Sequence, residues 1–212
     1  MPMVTNNATD LLPFMNTSYL SELQEKYHIT LGQKVLLYVG RLDAIKNLDF
    51  LIDSLILLKN YDFDFKMIFI GSRPIEDYMK KKIKKNGLQD ATVFTGRIMD
   101  RTDLSAHYRL ADLFLLASLY DSSSLVQIEA ASQNTPTLFI EKAVTASTVK
   151  DGINGYISQN SSQKYADKIY SIFEDEKEHD FISNNAFRDL YLVWEQIVDQ
   201  LKETYLELLE NR

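Results

Sequence analysis

Short apolar runs alternate with longer amphipathic segments through most of this 212-residue chain. The alternation predicts strands at 35–39, 66–70, 91–94, 113–116 and 137–140. It predicts helices between and after them at 47–58, 75–86, 101–108, after 124, 161–173, 178–187 and 189–209. Strands separated by crossover helices pair in parallel. We therefore expect an α/β fold, a doubly wound parallel sheet with helices at the C-terminal end.

The stretch 111–131 places a buried strand, a polar turn and a helix in succession. Asp112 leads into the apolar run 113–116, and three serines at 122–124 are suited to cap the helix that follows. The backbone N–H groups of that helix start should face the crevice beyond the strand's carboxyl end, where α/β sheets bind ligands and anions are favoured. Asp121 and Glu129 frame the crevice, on the order of 8–10 Å apart if the helix starts near position 124.

Here the sequence resembles the donor-binding half of the retaining, nucleotide-sugar-dependent glycosyltransferases of the GT-B fold, family four or group 1. Their hallmark is an acid, seven residues, and a Glu ahead of Ala, matched by Asp121, Glu129 and Ala130. The first acid is usually Glu, and the three serines replace the family's glycine-rich turn. The resemblance covers 35–157 well and the C-terminal helices loosely. It implies a Rossmann-like domain that forms one half of a two-domain enzyme.

Cationic residues follow the first predicted strand. Gly40 and Arg41 follow it directly, and Lys46 stands where the next helix opens. A guanidinium offers a planar fork to phosphate oxygens and an ammonium offers a point charge, although both are also common on the surface of a βα loop. The resemblance implies that Arg41 and Lys46 act on the donor diphosphate and Asp121 near the donor sugar, as the catalytic residues. Fixed positive charge would stabilise the leaving diphosphate.

The resemblance also implies a set of donor-binding residues. The start of the central helix would meet the diphosphate, Glu129 both ribose hydroxyls, and the loop after the third strand the base through its main chain. Arg73 replaces the second glycine of the family's turn after the second strand, so an ordinary turn is the alternative there. For Glu129 the alternative is a solvated helix carboxylate. The set comprises Gly40, Gly71, Gly96, Arg97, Ser123, Ser124, Leu125 and Glu129.

Composition and charge limit the kinds of partner and the cellular location expected for the chain. A net charge of −7 and a pI near 5.0 argue against nucleic acid. The chain has no cysteine, no apolar run long enough to span a membrane and no signal-peptide core at its start, so we expect a cytoplasmic location. Five lysines on one predicted helix form either a solvated face or a peripheral contact with the anionic inner face of the membrane: Lys80, Lys81, Lys82, Lys84 and Lys85.

We expect no cofactor and no metal. His28, His107 and His179 lie on separate predicted helices without clustered acids, which favours structural roles. The Asp62-Phe63-Asp64 sequence has metal-binding spacing but precedes a strand, at the wrong end of the sheet. The dinucleotide fingerprint and the P-loop are absent, which counts against a dehydrogenase or an NTPase. UDP- or GDP-sugars are the expected donors.

Three regions are expected. Residues 1–30 would be a linker or hinge with a short helix that Ser18 caps, 31–188 the nucleotide-sugar-binding domain, and 189–212 a helix that would pack toward a missing N-terminal, acceptor-binding domain. Trp194 and Tyr205 lie on that helix. Packing within the domain core is the preferred interpretation for both, and an exposed stripe made for the absent domain is the alternative.

The sequence thus predicts the donor-binding half of a hexosyltransferase that moves a sugar to a glycan, glycolipid or glycoprotein with retention of configuration. Alone it should bind donor and turn over little. The alternative is an inactive subunit that binds a protein partner, motivated by Asp121 and the three serines. A weaker one is another phosphosugar enzyme on this fold, such as an epimerase or phosphorylase.

Overall fold

The fold is a parallel sheet covered by helices, as predicted, with six strands rather than the five expected. The computed structural model describes residues 7–72, 74–120 and 125–210. The sheet order is β3-β2-β1-β4-β5-β6, with every neighbouring pair parallel. The strands are β1 (Lys34–Val39), β2 (Phe65–Ile70), β3 (Thr92–Gly96), β4 (Leu113–Leu116), β5 (Thr137–Ile140) and β6 (Tyr156–Ser158).

Helices cover the strands and end the chain. Those of the described residues are α1 (Thr17–Lys26), α2 (Leu48–Leu58), α3 (Glu76–Lys85), α4 (Arg101–Leu110), α5 (Leu125–Ala131), α6 (Ser162–Ile172), α7 (Glu176–Leu190) and α8 (Trp194–Glu210). Short 3-10 helices occur at Ala44–Lys46, Lys59–Tyr61 and Val144–Thr148. None of the helices in the described part of the chain is both long and apolar enough to cross a membrane.

Strand order reverses beside β1. The chain first builds outward from β1 through β2 to β3, then crosses to the other side of β1 and continues through β4 and β5 to β6. The four residues of β4 and the six of β2 are all buried, as expected of strands covered on both faces. This reversal opens a crevice beyond the carboxyl ends of β1 and β4, where open α/β sheets bind their ligands.

Three local features differ from the prediction. The Asp-Gly and Asn-Gly turns at 151–155 are followed by β6, an edge strand too short for its periodicity to be read. Asn16, not Ser18, caps α1: its Oδ1 accepts from the backbone N–H of Tyr19 at 3.2 Å, and the Ser18 hydroxyl donates to the same atom. The last helix starts at Trp194, because 191–193 run beside Thr9.

The N-terminal segment, residues 7–16, packs on the domain. Ala8, Thr9 and Leu11 are buried, and the backbone N–H of Thr9 donates to the carbonyl of Leu192 at 2.9 Å. The Gln133 side chain accepts from the Phe14 backbone N–H and donates to the Leu12 carbonyl. The stretch expected as a linker therefore contacts both the sheet-covering helices and the chain just before α8.

The apolar stripe of α8 is exposed along much of its length. Trp194 and Tyr205 are 48% and 59% exposed, whereas Ile197 is buried. Packing of both aromatic residues in the domain core, the preferred interpretation of the sequence, is therefore wrong. Val198, Leu208 and Leu209 are likewise more than half exposed, so most of the apolar stripe beyond Ile197 faces outward.

Candidate functional site

Two adjoining clefts open at the carboxyl edge of the sheet. The first, about 480 Å³, is lined by Gly40, Arg41, Gly71, Arg97 and residues that follow them. The second, about 340 Å³, is lined by Lys46, Leu125 and the ends of β1 and β4. Val39, Gly40 and Arg41 belong to both linings. The structure thus brings six predicted residues together: Gly40, Arg41, Lys46, Gly71, Arg97 and Leu125.

Glycine at position 71 is required by the close approach of two strand ends. The backbone N–H groups of Gly40 and Gly71 donate to the carbonyls of Ile70 and Gly96, both at 2.9 Å. A Cβ on Gly71 would lie 1.9 Å from the Gly40 carbonyl oxygen, and its φ of +149° also favours glycine. The ends of β1, β2 and β3 are therefore held side by side along the first cleft.

The loop that carries Arg41 and Lys46 is anchored at both ends. Leu42 is fully buried, and Asn47 takes a left-handed conformation with φ +56°. The Asn47 amide donates to the Ala117 carbonyl at 3.1 Å, which ties the loop to the end of β4. The two cations are consequently held above the switch point, where an anion at the start of α5 would meet them.

Arg41 has a carboxylate neighbour in its own loop. Its Nε donates to Oδ2 of Asp43, yet the Arg41 side chain remains 68% exposed. Oδ1 of Asp43 is buried and has no hydrogen-bond partner among the described residues. Because the ion pair uses the Nε edge, Asp43 orients the guanidinium and leaves its outer edge to face a ligand.

Glu129 is buried and already hydrogen-bonded. It is 4% exposed; its Oε1 accepts from Nη1 of Arg101 at 3.0 Å, and its Oε2 accepts from the Tyr108 hydroxyl at 2.9 Å. The solvated-carboxylate alternative is therefore wrong. Burial raises the pKa of Glu129, and the bonds from Tyr108 and Arg101 oppose that rise. Burial, and after it the nearby charge of Glu129, raise the pKa of Tyr108 well above its usual value.

Glu129 stands behind the wall of the first cleft rather than among its lining residues. Arg101, Leu104 and Tyr108 follow one another at helical spacing on one face of α4. Leu104 lines the first cleft, and its two neighbours on that face hold the carboxylate of Glu129. The acid therefore lies next to the first cleft, beside the face of α4 that contributes Leu104 to its lining.

Some predicted residues fall outside the described part of the chain. They are Asp121, Ser123 and Ser124, together with Arg73 of the turn after β2. Gly96 ends β3 with φ +74°, and its carbonyl accepts from Gly71. The predicted roles of these residues in donor binding stay predictions.

The sequence interpretation missed Arg101 and Tyr108. A basic residue in the first turn of a helix opposes the helix dipole, so Arg101 directly after the Asp100 cap is a signal that an acid lies close by. Which acid it meets was not readable, because Glu129 is 28 positions away. The hydroxyl of Tyr108 carries no such signal.

The remaining candidate groups are occupied elsewhere. The described residues contain no cluster of three or more His, Cys, Asp or Glu side chains suited to a metal. His107 and His179 are hydrogen-bonded to Tyr27 and Tyr156, respectively, while His28 lies in the turn after α1 rather than on a helix. Of the five lysines of α3, Lys82 pairs with Asp49 and Asp53 of α2, and Lys80 pairs with Glu76.

Comparisons with known proteins agree on one family. The sequence model of the glycosyl transferases group 1 matches residues 21–189. An uncharacterized glycosyltransferase of Methanocaldococcus jannaschii is 25% identical over 182 residues, which is 84% of this chain and 46% of that protein. N-acetyl-alpha-D-glucosaminyl L-malate synthase of Bacillus anthracis is 22% identical over 91% of this chain and 50% of its own length. The chain thus spans about half of these relatives.

Solved structures share the fold. HepE of Anabaena, crystallised with UDP and glucose, superposes with a TM-score of 0.81 at 24% identity, over 96% of this chain and 56% of that one. The C-terminal domain of a glycosyl transferase group 1 protein of Francisella tularensis superposes with a TM-score of 0.70 at 24% identity, over 84% of this chain and 92% of that one. The architecture is the Rossmann-like half of a GT-B fold.

Proposed function

Because the chain belongs to the glycosyl transferases group 1 family, we propose that it is the donor-binding half of a glycosyltransferase. It binds a nucleotide-sugar, and the complete enzyme transfers the hexose with retention of configuration to a glycan, glycolipid or glycoprotein. The observation that carries the proposal is the placement of Arg41 and Lys46 in two clefts that share a wall at the switch point of the sheet. That is where a diphosphate would be bound between cations and helix amides.

The two cations stabilise the leaving group in the bond-breaking step. As the sugar–phosphate bond breaks, negative charge accumulates on the leaving diphosphate, and fixed cations lower the barrier by stabilising it. We propose that Arg41 and Lys46 do this without a metal, with Asp121 near the donor sugar. Removing one such group typically costs ~10²–10³ in rate by analogy with oxyanion-hole deletions.

The nucleoside end of the donor fits the other wall of the clefts. Gly71, Gly96 and Arg97 would meet the base largely through main chain, and Glu129 would accept hydrogen bonds from the ribose hydroxyls. UDP is the favoured nucleotide, since HepE of the same fold was crystallised with UDP and glucose. GDP is the alternative that the titration below separates.

A second domain would complete the enzyme. Exposed apolar side chains occur in the segments that follow the carboxyl ends of β1, β3, β4 and β5, which form the cleft edge, and the apolar stripe of α8 is also exposed. We propose that an acceptor-binding domain covers the cleft edge and contacts this stripe. The exposed residues at the cleft edge are Ile45, Met99, Tyr120 and Val144.

We place this function in the cytoplasm, since a cysteine-free chain suits a reducing compartment. Four lysines of α3 are exposed, of which Lys80 is paired with Glu76. The other three would provide a peripheral contact with an anionic membrane surface: Lys81, Lys84 and Lys85. That contact would bring the enzyme to a lipid-linked acceptor.

Calorimetric titration with UDP, GDP, ADP and their glucose derivatives tests the proposal. We expect one nucleoside diphosphate to bind, Glu129→Ala to weaken it, and Asp121→Ala to affect mainly the sugar-bearing ligand. Glu178→Ala, an exposed acid of α7, is the matched control and should change nothing. Absence of binding at millimolar concentrations would overturn the proposal, and equal affinity of parent and Glu129→Ala would overturn the ribose assignment.

A further inference from the structure

We propose that Arg101 is a positioning residue that holds the carboxylate of Glu129 charged and oriented for the ribose, with Asp10 as its counter-ion from the N-terminal segment. The inference rests on the proposed function, which gives Glu129 a ribose to bind. It adds a residue that lies outside the acid-seven-residues-Glu pattern and outside the loop of Arg41.

One guanidinium bridges two carboxylates from different parts of the chain. Nη1 of Arg101 donates to Oε1 of Glu129 at 3.0 Å, and Nη2 donates to Oδ1 of Asp10. Glu129 has 5% of its side chain exposed, against 43% for Arg101 and 65% for Asp10. The guanidinium therefore reaches inward to an acid whose charge would be costly to bury without a cation.

The hydrogen-bond acceptor positions of Glu129 that Arg101 and Tyr108 leave unused match the two hydroxyls of a ribose. An ionised carboxylate offers roughly four acceptor positions. Arg101 and Tyr108 use one on each oxygen, which fixes the plane of the group and leaves one position on each oxygen for a vicinal pair of hydroxyls. A protonated Glu129 would lose part of this acceptor capacity, so the affinity for the nucleotide depends on its charge.

The charged groups near Glu129 lie on few elements. Neither the rest of α5 nor β5 carries a charge. After burial, the principal influences on the pKa of Glu129 are Tyr108 and Arg101, which lower it, and Asp10, which raises it; no residue of α7, which packs on α5, is among them. Loss of the Arg101 charge should therefore raise the pKa of Glu129, and loss of the Asp10 charge should lower it.

The test is UDP affinity of the full 212-residue chain as a function of pH, between about pH 4.5 and 8, by calorimetry. Affinity should fall as pH drops through the pKa of Glu129. Arg101→Gln should weaken UDP binding roughly tenfold at neutral pH and move the midpoint upward, and Arg101→Lys should restore most of both. Asp10→Asn should move the midpoint downward. Arg109→Gln removes the same charge from the same helix away from Glu129 and should match the parent.

The outcomes separate this inference from the proposed function. If the parent binds UDP while Arg101→Gln and Asp10→Asn keep its midpoint, Arg101 does not position Glu129 and the proposed function stands. If Arg101→Gln does not fold, Asp10→Asn alone decides by the same criterion. If no nucleoside diphosphate binds the parent, the proposed function fails. The carboxyl carbon of Glu129, titrated by NMR, then tests the inference, and an equal pKa in parent and Asp10→Asn contradicts it.

Discussion

The strongest steric constraint at the level of single residues is at Gly71. The Gly40 carbonyl oxygen occupies the space of a Cβ there, whereas Gly152 has a φ of +71° with nothing within 4 Å of its Cβ position. The two glycines therefore separate a steric requirement from a conformational one. The first lies where two strand ends meet at the cleft; the second lies in the turn between Asp151 and Gly155.

We predict that Gly71→Ala lowers the free energy of unfolding by about 2–4 kcal/mol, because strain at φ and a backbone clash add. Gly152→Ala should cost only about 1–2 kcal/mol, the conformational part alone. Urea denaturation of both variants and the parent measures this. Equal losses for the two would show that the strand ends at 40 and 71 are not packed as closely as described.

The sequence predicted the place of a site residue where that place depends only on neighbouring residues in the chain. Gly71 and Arg41 stand directly after apolar strands, so their place at the cleft follows from the alternation. The partners of Glu129 were not readable, because the carboxylate meets Arg101 and Tyr108 only after α4 and α5 pack together. The same holds for the Gln133 contacts with the N-terminal segment, which join residues 119 and 121 positions apart.

At the level of elements, the sequence predicted five strands because β-branched and aromatic apolar runs recur between amphipathic helices. The three-residue strand β6 is too short to show a period, and turn-forming pairs precede it. The start of α8 was misplaced because its helical spacing continues backward into 191–193, which the Thr9 contact holds outside the helix. Tertiary contact, not propensity, set both boundaries.

One contact between elements joins α1 to α4. His107 is fully buried; its Nδ1 donates to the Asp103 carbonyl at 2.7 Å, so its Nε2 accepts from the Tyr27 hydroxyl, also at 2.7 Å. Burial lowers the pKa of His107, and burial raises that of Tyr27 to about 12. The neutral imidazole is therefore the form that the folded state favours.

We predict that the free energy of unfolding falls as pH drops below about 6.5. Below that pH the histidine binds a proton in the unfolded chain, whereas the buried imidazole of folded His107 stays neutral. The loss ends at the lowered pKa of the folded state and amounts to about 1.4 kcal/mol per unit of pKa difference. His107→Gln should reduce the dependence of the free energy of unfolding on pH, measured by urea denaturation at stepped pH. His179, whose pKa burial also lowers, contributes to the same dependence. The exposed His28→Gln is the control, and an unchanged slope in His107→Gln would contradict the account.

For the whole molecule, sheet order places the cations and the acid on one edge. Arg41 and Lys46 follow β1, Glu129 lies on the helix after β4, and these two strands are neighbours at the reversal of the sheet. The sequence predicted this arrangement, because doubly wound alternation leaves little freedom in where strand ends meet. It did not predict that the N-terminal segment would pack against the domain, since 7–16 shows no periodicity.

The most direct measurement is UDP affinity of a double variant, Arg41→Gln with Lys46→Gln, compared by calorimetry with a charge-matched control, Lys84→Gln with Lys85→Gln on α3. We predict that the cleft variant loses at least about tenfold in affinity, because two charge-assisted contacts to the diphosphate disappear. The control should stay within about twofold of the parent, since exposed charges distant from the ligand contribute little. Equal affinity of the cleft variant and the control would contradict the assignment of this cleft to the donor diphosphate.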